Sequence, residues 1–448
     1  MTSMEAWTIQ RTVISRYLSR EQVEAFGAEM DALRRRIRAE LGDSDLAYAR
    51  RVLRLQRRLE VGGRAALQFS FFNPLIWAGG VAALASSKIL HTLELGHNVL
   101  HGQYDWTGDP ELLSTAYEWK FLCPAESWRH LHNIYHHRYT NIVGKDRDIG
   151  FGLLRMAEGQ PWHPVRLVTQ PLALAFTALA MEWGIALYEI ELGKIAKGKW
   201  HWHERKHQLK ALGKKIVQLR GQDYVLFPLL AGPFAPAVLA GNFAANLIHN
   251  VWWFALIFCG HFPEQIEMFT KQECEEESRA EWYVRQILST GNIEGGRFFQ
   301  FMSGHVGHQI EHHLFPTLPA HRAAAVAPEV RALCEKYGLP YTTGPLHRQL
   351  GSALRRVVRH ALPNEVAVPA AVAPLYSALE ARLPGLLPRQ RKPKPRQEVP
   401  AAVRLDAAKA VLATEELVSS LTGGHLPLGQ AARDEVLAVR RESGVAAG

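Results

Sequence analysis

The chain has 448 residues, 47% of them hydrophobic and 21% charged, and a formal net charge of +9. These values suit a soluble enzyme as well as a membrane one, so only the distribution of the apolar residues can separate the two. The positive charge favours phospholipid surfaces and phosphorylated substrates, no nucleic acid partner is expected, and four scattered cysteines, Cys123, Cys259, Cys274 and Cys334, exclude a close zinc-type pair and read as free thiols.

The first 60 residues hold no apolar stretch after a basic start, so no cleavable signal peptide is expected. Residues 1–64 read instead as a basic amphipathic helical arm, with Arg34, Arg35, Arg36, Arg38, Arg50, Arg51, Arg54, Arg57 and Arg58 interleaved with apolar positions at helical spacing. Residues 65–345 read as a membrane domain and 346–448 as an Ala, Pro and Arg rich, partly disordered extension with a basic linker at Arg389–Arg396.

Three apolar stretches follow the arm. Ala65–Ser87 carries no charge, Leu167–Leu192 is interrupted only by Glu182, Glu189 and Glu191, and Tyr224–Pro263 is long enough for a helical hairpin, since one crossing takes about 20 residues. Gly232, Pro233 and Pro236 supply its turn. Between the last two lies Lys194–Arg220, whose nine basic residues, among them Lys194, Lys197, Lys199, Lys206, Lys210 and Lys214, oppose the single acid Glu204; the positive-inside rule places this loop in the cytoplasm. If the histidines before it are also cytoplasmic, Leu167–Leu192 must re-enter or lie at the interface, and the same parity problem leaves Ala65–Ser87 open.

The 21 histidines are clustered. His97 and His101 lie four apart, on one face of a helix, a spacing that chance alone supplies about once in a chain this rich in histidine. The second cluster contains His132, His136 and His137, and the third His305, His308, Gln309, His312 and His313. Two His-His doublets, each preceded by a spaced donor, are far less frequent by chance, and adjacent imidazoles can serve two neighbouring metals. His261 closes the apolar hairpin, whereas His249, twelve residues earlier, stands about 18 Å away on a helix and cannot share its site. His91, His201, His203 and His207 read as ordinary surface or core residues.

The ligand set is then His97, His101, His132, His136, His137, His261, His312 and His313, four imidazoles for each of two metals, with Gln309 and His308 as weaker candidates. Glu94, Asp146, Asp148 and Glu311 read as carboxylates that orient ring N–H groups. Imidazole alone does not choose among zinc, copper, iron and nickel.

At these residues the sequence resembles the integral-membrane fatty acid desaturases, whose boxes have the forms HxxxH, HxxHH or HxxxHH, and HxxHH or QxxHH, standing here as HNVLH, HNIYHH and QIEHH. The third box, followed by Leu314-Phe315-Pro316, is similar to the linoleoyl-CoA type, and Gly96–Trp106 and Gly144–Asp148 are similar to a bacterial branch that includes stearoyl-CoA desaturases. The resemblance implies an all-α integral-membrane fold with a cytoplasmic histidine-box cap, in the bacterial inner membrane. It also implies two iron ions, molecular oxygen, an acyl-CoA or acyl-lipid substrate, and electrons from a separate ferredoxin- or flavoprotein-type donor, since no fused haem motif is present. Lys206, Lys210 and Lys214 are candidates to meet the substrate head group. A di-iron hydroxylase shares such boxes, and a membrane metal-binding or transport protein is the non-enzymatic alternative.

Overall fold

The computed structural model describes residues 3–390, except 192–194, 196–197, 199–200, 367 and 369–371, and a few isolated positions beyond. Lys194, Lys197, Lys199 and the linker from Arg391 onward lie outside the described residues. The chain divides into two compact units, one of residues 1–152 and 175–353, the other of residues 153–174 and 354–448.

The first unit is helical. Helix α1 (Arg20–Ala39) starts at a capping box in which Ser19 and Gln22 satisfy each other's backbone N–H groups, and it buries Val23, Phe26, Met30, Leu33 and Ile37, one stripe at helical spacing. Helix α2 (Asp43–Gln68) carries the rest of the arginine arm and runs on past residue 64. It stops at Phe69, and Asn73 and Pro74 start helix α3 (Pro74–Ile89), the Asn73 side chain accepting from the Leu75 N–H. The uncharged stretch Ala65–Ser87 is therefore a turn between two antiparallel helices and not one crossing. They approach closely because a Cβ on Gly63 would meet the Leu84 backbone nitrogen at 2.9 Å. A hairpin of this kind brings the chain back to the side from which it started.

The second hairpin differs from its expectation too. The basic segment is largely helix, α4 (Lys206–Lys215), continued through π-helical turns to Leu230. The expected first arm is thus the end of a long basic-to-apolar helix. The returning arm, α5 (Ala235–His261), belongs to the one continuous helical segment among the described residues that is long and apolar enough to cross a bilayer, Gly232–His261. Leu167–Leu192 is broken at Ala180, where helices Arg166–Leu179 and Met181–Ile190 bend by 110°.

The two hairpins pack side by side. Phe71 stacks on Phe234, Gln68 Nε2 donates to the Phe227 carbonyl at 2.9 Å and Trp77 Nε1 to that of Ala237 at 3.0 Å. Near their turns Phe69, Leu75, Leu229 and Leu230 are exposed by more than half, as is Phe243 further along α5. Helices α6 (Arg279–Leu288) and α7 (Gln309–Leu314) complete the part that holds the histidines.

The second unit has a small core of Val366, Tyr376, Leu379 and Leu387 under helix Ala373–Arg382 and a two-stranded parallel pair, Glu365–Val366 with Arg389–Gln390. Arg155 is buried in it and donates to the carbonyls of His360 and Leu362, both at 3.1 Å.

Candidate metal centre

Two π-helical segments present the first two clusters. Leu90–His97 continues α3 with widened turns and ends on His97, with His101 one turn on; Arg129–His136 carries His132 and His136, with His137 next. Single π turns inside α-helices recur at functional sites because they re-aim side chains that regular spacing would turn away. His261 is the last residue of α5, and α7 brings His312 and His313.

All eight of these histidines are brought together and all are buried. Ligand nitrogens of His97, His101, His132 and His312 lie within 4.8 Å of one another, as do those of His136, His261 and His313, and those of His137, His312 and His313. The groups overlap at His312 and His313, so the third cluster joins them into one continuous arrangement of candidate ligands.

The hydrogen bonding of these rings is incomplete in a specific way. Nε2 of His101, His312 and His313 and Nδ1 of His137 and His261 are buried without a partner. Elsewhere ring nitrogens face each other, His136 Nε2 and His261 Nε2 at 3.3 Å and His137 Nε2 and His132 Nε2 at 3.2 Å. Buried polar atoms normally find partners, and convergent imidazole lone pairs find theirs in a cation. The donor set fits two metal ions of the kind imidazole favours.

Burial disfavours protonation here. It lowers His97 to about 4 and holds His101, His132, His137, His312 and His313 well below the ordinary imidazole range, with the neighbouring histidines adding to the effect for most of them. Neutral imidazole is the metal-binding form. At His136 burial pulls the same way, but the Asp146 and Asp148 carboxylates outweigh it and raise the ring.

The outer nitrogens are oriented by a second set of residues. Asp146 meets His136 Nδ1 at 3.1 Å, Asp148 meets His132 Nδ1 at 3.3 Å, Asn98 Oδ1 meets His97 Nδ1 at 3.1 Å and Gln286 Oε1 meets His313 Nδ1 at 3.0 Å. Asp146 is itself fixed by the backbone N–H groups of Asn141 and Asp148, both at 2.8 Å. Arg285, fully buried, donates to the carbonyls of Thr140 and Arg138 and ties the end of the second cluster to α6.

Sequence reasoning named Asp146 and Asp148 but missed Asn98, Gln286 and Arg285. Asn98 sits inside the first box and could have been read as an amide next to a ligand; Gln286 and Arg285 carry no spacing signal.

Other candidates are placed differently. Gln309 Nε2 lies 2.7 Å from His261 Nε2, beside the second group. The Glu94 carboxylate accepts from Tyr48 at 2.6 Å and meets His305 Nδ1 at 2.9 Å, so it orients a ring outside the eight. Glu311 meets Tyr341 at 2.8 Å and Asn292 at 2.9 Å, with His308 3.9 Å away. His249 bonds Thr92 at 2.8 Å and joins none of the groups. His201 and His203 are exposed, as are Lys206, Lys210 and Lys214 on α4. Beside His97 and His132 lies an apolar pocket formed by Trp128, Leu131, Phe151, Ile185, Trp253 and Ile257.

A family profile described as fatty acid desaturase matches residues 72–345. A Mycobacterium tuberculosis protein named NADPH-dependent stearoyl-CoA 9-desaturase is 40% identical over 353 residues, covering 78% of this chain and 82% of its own length. The sn-1 linoleoyl-lipid 6-desaturase of Synechocystis is 28% identical over 295 residues, 63% of this chain and 80% of that one. Fatty acid desaturase 3 of Bos taurus is 35% identical over 134 residues, 30% and 28% of the two chains. The chain thus belongs to the fatty acid desaturase family, and it is an all-α oxidoreductase of that family built around a buried histidine cluster.

Proposed function

We propose that the chain introduces a double bond into the acyl chain of an acyl-CoA, using two irons held by the eight histidines, molecular oxygen and two electrons from a separate donor protein. The observation that carries this reading is the convergence of eight buried imidazoles, five with an unpartnered ring nitrogen, beside an apolar pocket. Iron bound there supplies the oxygen-derived oxidant that an unactivated methylene requires, since no protein base can remove a hydrogen of such low acidity.

The chain's own residues do the rest. Asp146, Asp148, Asn98 and Gln286 fix the tautomer and direction of the ligand rings. Trp128, Leu131 and Trp253 give the acyl chain a dry wall next to His97 and His132. An acyl-CoA is favoured because a relative at 40% identity is named for that substrate class. Lys206, Lys210 and Lys214 stand free for phosphates on the face of α4. The apolar hairpin tips set the protein in a bacterial cytoplasmic membrane, with the basic helix and the metal centre on the cytoplasmic side.

Expression in a host lacking desaturases, with fatty acid analysis and metal determination, tests the proposal. New monounsaturated acids and about two irons per chain are the expected result. Hydroxylated acids, or an active preparation holding only zinc, overturn it.

A further inference from the structure

The outward face of α2 changes character along its length. Arg50, Arg51, Arg54, Arg57 and Arg58 are exposed on it, and Val61, 70% exposed, begins the apolar stripe that runs to Phe69. At 1.5 Å per residue, Arg57 and Arg58 stand about 5 Å above Val61, within the roughly 5–7 Å headgroup zone of one leaflet. Arg54 stands about 10 Å above it, and Arg50 and Arg51 about 15 Å, which is beyond the phosphates if the helix enters the bilayer near its normal. Lipid therefore explains the lower arginines and leaves the upper ones.

The upper arginines share their helix turns with residues that pack on the segment ending at His97. On the inner side of the same turns Tyr48 donates to Glu94, and Val52 and Leu53 pack on Leu95, two residues before His97. Beside them runs the loop that follows His101. Arg50 pairs with its Asp109 at 2.8 Å and Arg57 with its Glu111 at 2.7 Å. That loop exposes Trp106, 44% accessible, whose Nε1 donates at 3.0 Å to the carbonyl of Gln103, two residues beyond His101. Among the described residues neither Arg51 nor Arg54 has a carboxylate partner. Free arginines around an exposed tryptophan make the chemistry of a protein contact.

We infer that this face is the docking surface for an acidic one-electron carrier, which rests on the oxygen-dependent desaturase reading above. That reaction balances as R–CH2–CH2–R′ + O2 + 2 e⁻ + 2 H⁺ → R–CH=CH–R′ + 2 H2O, so two reduced carriers are oxidised per double bond. The carrier binds one helix layer from the segment that bears His97 and His101, and adjacent helices stand roughly 8–10 Å apart.

The test uses the full chain in phosphatidylcholine nanodiscs with stearoyl-CoA. Product is measured with an acidic [2Fe–2S] ferredoxin and its NADPH-dependent reductase, and separately with photoreduced methyl viologen, which needs no docking. Arg51→Glu and Arg54→Glu together should raise the apparent Michaelis constant for ferredoxin about tenfold or more and remove its salt dependence, with viologen-driven turnover unchanged. The matching double lysine variant should stay near wild type. An unchanged ferredoxin constant in the glutamate variant overturns the inference. So does a defect that appears equally with viologen, or only when phosphatidylglycerol is present, which assigns the face to lipid. A wild-type chain that makes no olefin with viologen fails at the earlier step and overturns the desaturase reading itself.

Discussion

Two buried polar regions of the first unit, the histidine centre and the charged knot between the hairpins, answer the cost of burial in opposite ways. In the knot, Asp223, 1% exposed, accepts from Arg64 at 2.6 Å, Lys88 at 2.9 Å and Asn246 at 3.0 Å, while Arg220 lies 3.6 Å from Asp223 and pairs with Glu182. Each charge there meets an opposite charge within the chain. In the centre, burial prevails against the charged form of every ring but that of His136, and five ring nitrogens are left without a partner in the protein. A network of paired charges joins helices, though Arg64 Nε and Arg220 Nε in it lack a partner; an open network of converging neutral rings is completed by something from outside. Removing one member should therefore cost the knot stability and the centre activity, and exchanging those outcomes would break the distinction.

The largest effect is expected at His312, which belongs to two of the three histidine groups. His312→Ala should reduce fatty acid desaturation to background and lower iron per chain, while the protein inserts and unfolds as the wild type does. His136→Ala should behave alike, and His201→Ala, on an exposed ring, should be mild. Equal losses at His201 and His312 would show that the groups do not define the centre.

Asp223→Ala reverses the pattern. It leaves the half-buried Arg64 and Lys88 without their buried counter-charge; breaking a fully buried pair costs roughly 3–5 kcal/mol, an upper bound here. A large fall in thermal unfolding temperature in detergent is expected, with iron per folded chain kept. Loss of iron without loss of stability would move the knot into the functional site.

The surface lysines give a smaller effect. Each cation near a phosphate contributes up to about 1 kcal/mol, so reversing Lys206, Lys210 and Lys214 together should raise the apparent Michaelis constant for acyl-CoA by up to roughly two decades and flatten its salt dependence. Iron content should not change. Wild-type kinetics across salt would leave α4 a topological signal alone.

The histidine boxes were legible because metal ligation imposes residue type and spacing together, and that is why His132, His136 and His137 could be grouped without coordinates. The two π-helical segments were not legible: a 3.6-residue period predicts His97 and His101 on one face but gives no sign of the widened turns before and through the boxes. The hairpin of α2 and α3 was hidden for a different reason. Its turn, Phe69–Asn73, is as apolar as the helices it joins, so charge alone drew one uninterrupted stretch, although Asn73-Pro74 is a helix start. Gln286 and Arg285 act through tertiary proximity, which no spacing encodes.

The last prediction concerns how far the open network depends on its outer partners. Asp146 holds His136 Nδ1 and is itself held by two backbone N–H groups, so it is a rigid acceptor placed by the chain turn at Asn141, where φ is +56°. If a metal binds His136 through Nε2, Asp146 keeps the proton on Nδ1 and adds negative charge behind the ring, strengthening the ligand. Asp146→Asn preserves shape and removes that charge, and a carboxamide can present either its oxygen or its nitrogen to the ring. Losing such a partner typically costs 10–100-fold in metal affinity or activity, so iron should dissociate correspondingly faster into a chelator while folding stability stays near wild type. An Asp146→Asn protein that retains iron as tightly as the wild type but unfolds at lower temperature would show that this carboxylate belongs with the knot, as a structural charge.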